Sequence, residues 1–529
     1  MNACGADQRR KSESAFRTNT PRPRPRPIVR DLQIVFLLIS GISASSVANI
    51  FPGWMRSTTP MTVPGLIMTK HSCRLLLGLL SLVAVTAAAD TKPPTRKSRP
   101  NVVLIMADDL GYADLSCYGS RMIRTPVLDS LASDGIRLTS FYAGCTICTP
   151  SRMALLTGAY PRRMGWRGGV VGYGIRPQNG LSPDAVTIGE VFKGAGYQTA
   201  LIGKWHLGDT QMLAPRNQGF ETTFYINKSN NQTKKLWRGD KLVADPFDNR
   251  RLTEQFTIEA TRFIESNRDR PFFLYLPLSA PHFPAQAHPD WKGKSRNEAY
   301  GDVVEELDSR VGEILNSLTK HGIADNTIVV FLSDNGVEPG QRKWARSDPY
   351  RGLKWSSLEG GNRVPCIVRW PDVVPAGQVS DAIIGAIDLL PTLAQACGID
   401  LHVQADGSPG IDGVDVLNTL AGRADRPHLR TSLLFWHGWG TLQAIRVGDW
   451  KLYLDEIKEL PESATGPVLI NLATDPAEQT NLSEMYPDRV ATMMAEAGQQ
   501  LSEIETNAIA LGGPPDGKKA NPKRARWLK

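Results

Sequence analysis

The stretch NVVLIMADD, residues 101–109, decides the fold. It is an apolar run of strand length that stops at two adjacent carboxylates, Asp108 and Asp109. Three more runs repeat the pattern. Residues 199–202 lead into Lys204 and His206, residues 272–278 into Ser279 and His282, and residues 327–332 into Asp334 and Asn335. Helix-like stretches separate them, which predicts an α/β domain built on a largely parallel sheet buried on both faces. Ligands of open α/β sheets bind at the carboxyl ends of the strands, so four polar endings pointing one way predict one assembled site.

Outward from this core the chain divides by composition. Residues 90–100 are polar and Pro/Lys-rich and read as a linker, and residues 101–427 as the catalytic-sized domain. A Gly/Asp-rich turn over 405–427 precedes a smaller unit, 428–511. There, near-alternation over 442–454, a segment at 471–482 and a helical pattern over 488–504 predict a small antiparallel sheet with a C-terminal helix. Residues 512–529 read as a basic, disordered tail, and no internal repeat is present.

The formal charge of +8 belongs to the N-terminus. Residues 1–89 hold 11 Lys or Arg against 3 Asp or Glu, and the other 440 residues carry 50 of each sign. The folded body is therefore neutral overall, and no nucleic-acid partner is expected. Residues 68–89 have the anatomy of a secretory signal peptide: Lys70, His71 and Arg74, an apolar middle, then Ala87, Ala88 and Ala89 before Asp90. Residues 1–67 read as a gene-model extension or a disordered segment. The apolar middle is shorter than the roughly 20 residues a membrane span needs, so stable insertion is not expected. Export follows, to a periplasm or the exterior, or to a lysosomal or secretory route in a eukaryote. Export permits disulfides, but the five cysteines beyond the leader, Cys117, Cys145, Cys148, Cys366 and Cys397, are expected to be mostly buried thiols.

Asp108, Asp109, Asp334 and Asn335 offer only oxygen, which suits calcium or magnesium better than zinc. Adjacent carboxylates repel unless a cation lies between them. The run CTPSR, residues 148–152, leads into MALLTG and reads as the start of a helix closed by Gly158. Pro150 is compatible with a first turn, and a helix N-terminus with Arg152 beside it is a ready site for an ester sulfate or phosphate.

Cys148-Thr149-Pro150-Ser151-Arg152 resembles the activation signature of type I sulfatases, in which a dedicated enzyme oxidises the Cys to formylglycine (3-oxoalanine). GKWHLG at 203–208 resembles the family's second signature and SDNG at 333–336 its distal metal pair. GLK at 352–354, with EGG at 359–361 and Val364-Pro365, resembles its late lysine segment. The resemblance covers roughly residues 100–510. It implies an alkaline-phosphatase-like fold, a large mixed sheet flanked by helices with a smaller C-terminal subdomain. It also implies one divalent cation, Ca2+ before Mg2+, on Asp108, Asp109, Asp334, Asn335 and the Cys148-derived group. Arg152 and Lys204 would hold the formylglycine. His206 would take a proton from the gem-diol of the covalent sulfate hemiester, and His282 and Lys354 would contact the sulfate and protonate the leaving alcohol. These charges and donors suit sulfate-ester cleavage, which needs cations on the non-bridging oxygens and an acid for a poor leaving group.

The expected partners are a sulfated carbohydrate or aryl ester and the formylglycine-generating enzyme. Ser229 aligns with a family serine near the nucleophile. Arg163, Trp166, Arg167, Trp436, His437 and Trp439 are candidate sugar contacts, because aromatic and cationic side chains suit sulfated sugars. Motif spacing is similar to that of arylsulfatases and N-acetylgalactosamine-6-sulfatases. Two other readings stay open: a formylglycine-dependent phosphonate monoester or phosphodiester hydrolase, and a non-catalytic glycan-binding protein with Cys148 unmodified. Three sequons, at Asn227, Asn231 and Asn481, fit N-glycosylation. Oligomeric state has no signature in the sequence.

Overall fold

A computed structural model describes residues 99–401, 410–423, 430–455, 457, 459–460 and 466–514. The expected leader at 68–89, the extension at 1–67, most of the 90–100 linker and the end of the basic tail lie outside the described residues.

The strand Asn101–Ala107 is buried at every position. Its side chains alternate between two apolar cores, as a period of two requires. Val102, Leu104 and Met106 enter one core, and Val103, Ile105 and Ala107 the other. Phe273 and Tyr275 alternate in the same way with Phe272, Leu274 and Leu276. The unbroken apolar runs in the sequence are thus the mark of a sheet covered on both faces, each large side chain contributing about 1.5–3 kcal/mol by leaving water.

The large sheet has ten strands. From one edge they are Gln378–Ser380, Ile136–Leu138, Cys366–Arg369, Thr327–Ser333, Asn101–Ala107, Phe272–Pro277, Gln198–Lys204, Thr222–Ile226, Leu236–Arg238 and Lys241–Ala244. The four runs expected to share a site are adjacent and parallel, with Leu104 opposite both Tyr275 and Val330. Antiparallel pairing begins beyond them, at Cys366–Arg369 on one side and Leu236–Arg238 on the other, so the sheet is mixed.

Three helices cover one face, one of them Pro126–Ser133 with Leu128 and Leu131. Leu252–Ser266 presents Phe256, Ala260, Phe263 and Ile264, and Glu298–Lys320 presents Val304, Leu307, Val311 and Ile314, at the three- and four-residue spacing of one helical stripe. The other face carries Cys148–Thr157, Ile188–Gly194 and Leu389–Ala396. It also carries the small antiparallel sheet of Ser432–Trp436, Leu442–Val447, Trp450–Tyr453 and Val468–Asn471 with the helix Pro487–Thr506. Strand pairing there ends at Asn471, and 472–486 is turn rather than sheet. The small unit shares its apolar core with the large sheet: Phe435, Ile445 and Leu469 join the cluster that holds Leu104 and Val330. Among the described residues no helix is long and apolar enough to cross a membrane, and Cys117, Cys145, Cys148, Cys366 and Cys397 are free thiols.

Candidate active site

Because the central strands run in parallel, their carboxyl ends deliver Asp108, Asp109, Lys204, His206, His282, Asp334 and Asn335 to one edge. The Cys148–Thr157 helix lies beneath them with all ten residues buried, and Gly158, at φ 64°, closes it in the left-handed conformation. Gly203 makes the approach possible on the Lys204 strand, since a Cβ there would sit 1.9 Å from the Pro277 carbonyl oxygen.

Cys148 Sγ lies 3.6 Å from Asp108 Oδ1 and 3.9 Å from Asp109 Oδ1. Lys204 Nζ donates to both oxygens of Asp108, at 2.9 and 2.7 Å. One turn into the helix, Arg152 donates from Nε and Nη2 to Asp334 Oδ2, at 3.0 and 2.7 Å, and from Nη1 to the Lys204 carbonyl at 2.9 Å. Lys354 Nζ reaches Asp109 at 2.8 Å and Glu338 at 3.0 Å. Three buried carboxylates, Asp108, Asp109 and Asp334, therefore face three buried cations, as they must, since a lone buried charge costs several kcal/mol.

The electrostatics follow from this packing. Burial would raise the Asp108 carboxyl, but Lys204, then His282, Arg152 and Lys354, hold it far below the usual range. Burial and the Asp108 charge push Asp334 up to about 7. Burial drives the Cys148 thiol well above its ordinary value, with Lys204 and Lys354 opposing and Asp334 and Asp108 adding to it. Lys354 is desolvated, yet Asp109, Cys148 and Glu338 hold it firmly charged.

The two histidines differ in their hydrogen bonds. His206 Nε2 is 3.2 Å from the Val171 carbonyl, which fixes the proton on Nε2, while Nδ1 is buried without a partner. Burial, then Lys204 and Arg152, push this ring far below the ordinary imidazole value. His282 Nδ1 is 2.7 Å from the Phe283 carbonyl and its Nε2 is 3.5 Å from Asp109 Oδ2. Burial takes it down to about 4.

A divalent cation fits this cluster. Donor atoms of Asp108, Asp109, Cys148 and His282 lie within 4.8 Å of one another. Asn335 Oδ1 is buried with no hydrogen-bond partner, while its Nδ2 donates to Asp109 Oδ1 at 2.7 Å. An orphaned amide oxygen beside clustered carboxylates matches hard-cation coordination. Asp109 also holds a backbone φ of 66°, a conformation disfavoured for residues with a side chain and concentrated at functional sites.

Above Cys148 opens a cavity of about 410 Å³. His206, His282 and Lys354 line it, as does Ser229. Of the other sugar-contact candidates, Trp439 alone reaches the cavity mouth. Arg163 is buried in ion pairs with Asp412 and Glu503, both at 2.5 Å. Trp166 and Trp436 are core side chains, the Trp166 indole donating to the Gly169 carbonyl. Arg167 is exposed and donates to the carbonyls of Arg162 and Trp166. His437 Nδ1 accepts the Trp439 N–H at 3.2 Å, and Trp439 packs on Trp355 at the cavity mouth. Of the sequons, Asn227 is buried and bonded to Asp209 and Thr233, whereas Asn231 lines the cavity.

Sequence reasoning passed over Thr149, Tyr173, Gln232, Glu338 and Trp355. Trp355 directly follows the lysine of a recognised segment, which is a usable signal. Thr149 and Gln232 fill free positions of their motifs, Gln232 in the Asn231 sequon, and Tyr173 lies in a stretch with no motif.

A profile of the Sulfatase family matches residues 100–399. Steryl-sulfatase of Mus musculus is 32% identical over 523 residues, covering 77% of this chain and 83% of that protein. N-acetylgalactosamine-6-sulfatase of Rattus norvegicus is 33% identical over 411 residues, covering 72% and 75%. A solved structure from work on the metabolism of multiple glycosaminoglycans by Bacteroides thetaiotaomicron superposes with a TM-score of 0.68 at 28% identity, covering 77% of this chain and all of that one. The mixed sheet with its small C-terminal sheet is the alkaline-phosphatase-like architecture of sulfatases. With its strand-end cluster and this family match, the chain belongs to the sulfatase family, enzymes that hydrolyse sulfate esters.

Proposed function

We propose that this chain is an exported sulfatase acting on a sulfated carbohydrate, with its nucleophile made at Cys148 by oxidation to formylglycine in a separate modification enzyme. The observation that carries the reading is the position of Cys148: under the cavity, 3.6 Å from Asp108, among Lys204, Lys354, His206 and His282. As a thiol, Cys148 is a poor nucleophile there, because burial keeps it protonated at neutral pH. The hydrated aldehyde would supply an oxygen nucleophile instead.

Asp108, Asp109, Asp334 and Asn335 would hold calcium, which supplies positive charge against the non-bridging sulfate oxygens. Arg152 fixes Asp334 and the Lys204 carbonyl, and Lys204 fixes Asp108, so these two cations set the frame around position 148. His206, neutral and with Nδ1 bare, is suited to accept a proton from the group at 148. Lys354 adds fixed charge on the substrate side. His282 is neutral without substrate; an arriving sulfate anion favours its protonated form, which can then donate to the leaving oxygen. The carbohydrate assignment draws on the N-acetylgalactosamine-6-sulfatase similarity and on the polar and aromatic lining of the cavity.

The test is the mass of the peptide spanning Cys148, from protein made in a host that has the modification enzyme, together with turnover of sulfated mono- and oligosaccharides. Formylglycine is lighter than Cys, because oxygen replaces sulfur and two hydrogens are lost. An unmodified thiol in active material, or clear preference for an aryl phosphonate monoester over an aryl sulfate, would overturn the reading.

A further inference from the structure

Three aromatic side chains at the mouth of the cavity take no part in the sulfate chemistry. Tyr173 and Trp355 line the cavity, and Trp439 extends their surface outward. Their ring centroids lie 5.0 Å apart for Trp355 and Trp439, 5.5 Å for Tyr173 and Trp439, and 6.0 Å for Tyr173 and Trp355. They come from three separate segments, the last from the small C-terminal unit. Tyr173 is 57% exposed and Trp439 48% exposed, unusual for large apolar rings that could pack inward.

The cluster is built to hold its shape. The turn carrying Trp439 is closed by hydrogen bonds from His437 N–H to the Thr441 carbonyl and from Gly440 N–H to the His437 carbonyl. The Gly169 N–H donates to the Gly438 carbonyl at 2.8 Å, tying this turn to the segment before Tyr173. A Cβ at Gly438 would lie 2.3 Å from the Trp355 ring, so glycine there makes room for the indole. Trp355 itself holds a left-handed backbone, φ 81°, with its N–H donating to the Thr146 carbonyl.

Beyond these rings, Val170 and Phe283, the lining is mostly polar but carries little positive charge. Gln232 Oε1 is buried without a partner, an acceptor suited to a hydroxyl or amide proton. Lys354 is the one Lys or Arg among the lining residues, and it is already paired with Asp109 and Glu338. Aromatic faces beside an unpartnered amide acceptor suit the C–H face and hydroxyls of a pyranose. Among the described lining residues a second sulfate would meet Glu338 and no unpaired Lys or Arg.

We propose that Tyr173, Trp355 and Trp439, with Gln232, form the binding surface for the leaving sugar, and that this sugar is a neutral pyranose rather than a second sulfated one. The proposal rests on the sulfatase reading of the Cys148 centre. It makes Trp439 and Gln232 specificity-determining residues, outside the sulfate chemistry.

The test compares kcat and KM for 4-nitrophenyl sulfate with those for singly and doubly sulfated disaccharides of galactose and N-acetylgalactosamine. It uses the formylglycine-bearing enzyme and its Trp439→Ala, Trp439→Phe and Gln232→Ala variants. In Trp439→Ala the ratio of disaccharide to aryl kcat/KM is expected to fall on the order of tenfold, mainly through KM, with Trp439→Phe restoring most of it. Gln232→Ala is expected to lower the same ratio, and singly sulfated sugars to be preferred. Equal losses on both substrate types, or preference for the doubly sulfated sugars, would overturn the proposal. So would a parent enzyme that hydrolyses the aryl sulfate and none of the disaccharides, which leaves the sulfatase reading standing. Hydrolysis of neither sinks both.

Discussion

Thr149 ties the Cys148–Thr157 helix to His206: its Oγ1 donates to the His206 carbonyl at 2.9 Å and accepts the Val171 N–H at 3.1 Å. The Val171 carbonyl in turn receives the His206 Nε2 proton at 3.2 Å. One hydroxyl thus fixes both the backbone of His206, strained at φ 60°, and the segment that sets its ring tautomer. Thr149→Val keeps the volume but strips two buried backbone groups of a partner, at about 1–3 kcal/mol of stability. With His206 less well positioned, kcat is expected to drop about tenfold to a hundredfold with little change in KM, and Thr149→Ser to recover most of it. Steady-state kinetics on an aryl sulfate check this; an unchanged kcat in Thr149→Val would show that the hydroxyl is structural only.

The orphaned Asn335 Oδ1 leads to a prediction about the cation. Chelation is expected to lower the thermal midpoint and calcium to restore it, because bound cation at a hundred times its Kd stabilises the fold by about 2.7 kcal/mol. Asn335→Ala should shift the calcium titration of that midpoint to higher concentration. Such a site would be lost if the midpoint of the parent protein did not respond to calcium at all.

Much of this centre was legible because parallel strands buried on both faces are written as unbroken apolar runs, and their polar ends sit next in sequence. Asp108, Lys204, His282 and Asp334 are each within a few residues of such an end. Thr149, Tyr173 and Gln232 were not legible, since tertiary contacts between distant segments create their roles. Trp166 and Trp436 illustrate the converse. Their composition suited a sugar site, but both fill the apolar core, and nothing local in the sequence distinguishes a buried indole from one at a cavity mouth.

Cys148→Ala removes the group from which the proposed nucleophile is made while leaving the surrounding ion pairs intact. Turnover is expected to fall by at least about a thousandfold. The cost in stability should be on the order of 1 kcal/mol, as for a small truncation in a packed site. Comparing kcat with the denaturation midpoint checks this, and residual activity within tenfold of the parent would remove Cys148 from the mechanism.

A second buried charge cluster ties the small antiparallel sheet to the helix Glu359–Asn362 and sets the behaviour in acid. Lys451, on the strand Trp450–Tyr453, lies 2.8 Å from Glu359 and 3.1 Å from Glu478, while Glu359 also receives the hydroxyl of Tyr142 and the guanidinium of Arg363. Burial alone would raise the Glu359 carboxyl, but Lys451, then Arg363 and Arg446, hold it near 2, against an ordinary value of 4.5. A depressed carboxyl contributes stability that is complete above the unfolded value and is lost as pH falls through the folded one, so this contribution should drain away between pH 4.5 and 2. Glu478 is pushed the other way, by burial and then by Glu359, with Lys451 opposing. In Lys451→Met both carboxyls lose their shared cation, and at pH 7 the fold should be about 3–5 kcal/mol less stable. Arg363 and Arg446 still hold Glu359, but Glu478, already raised in the parent, rises further, so the gain in stability as pH is lowered from 7 toward 5 should be steeper than in the parent. Urea denaturation of both proteins across pH 3 to 8 measures the two slopes, and parallel curves would show that Lys451 does not set the charge state of this pair.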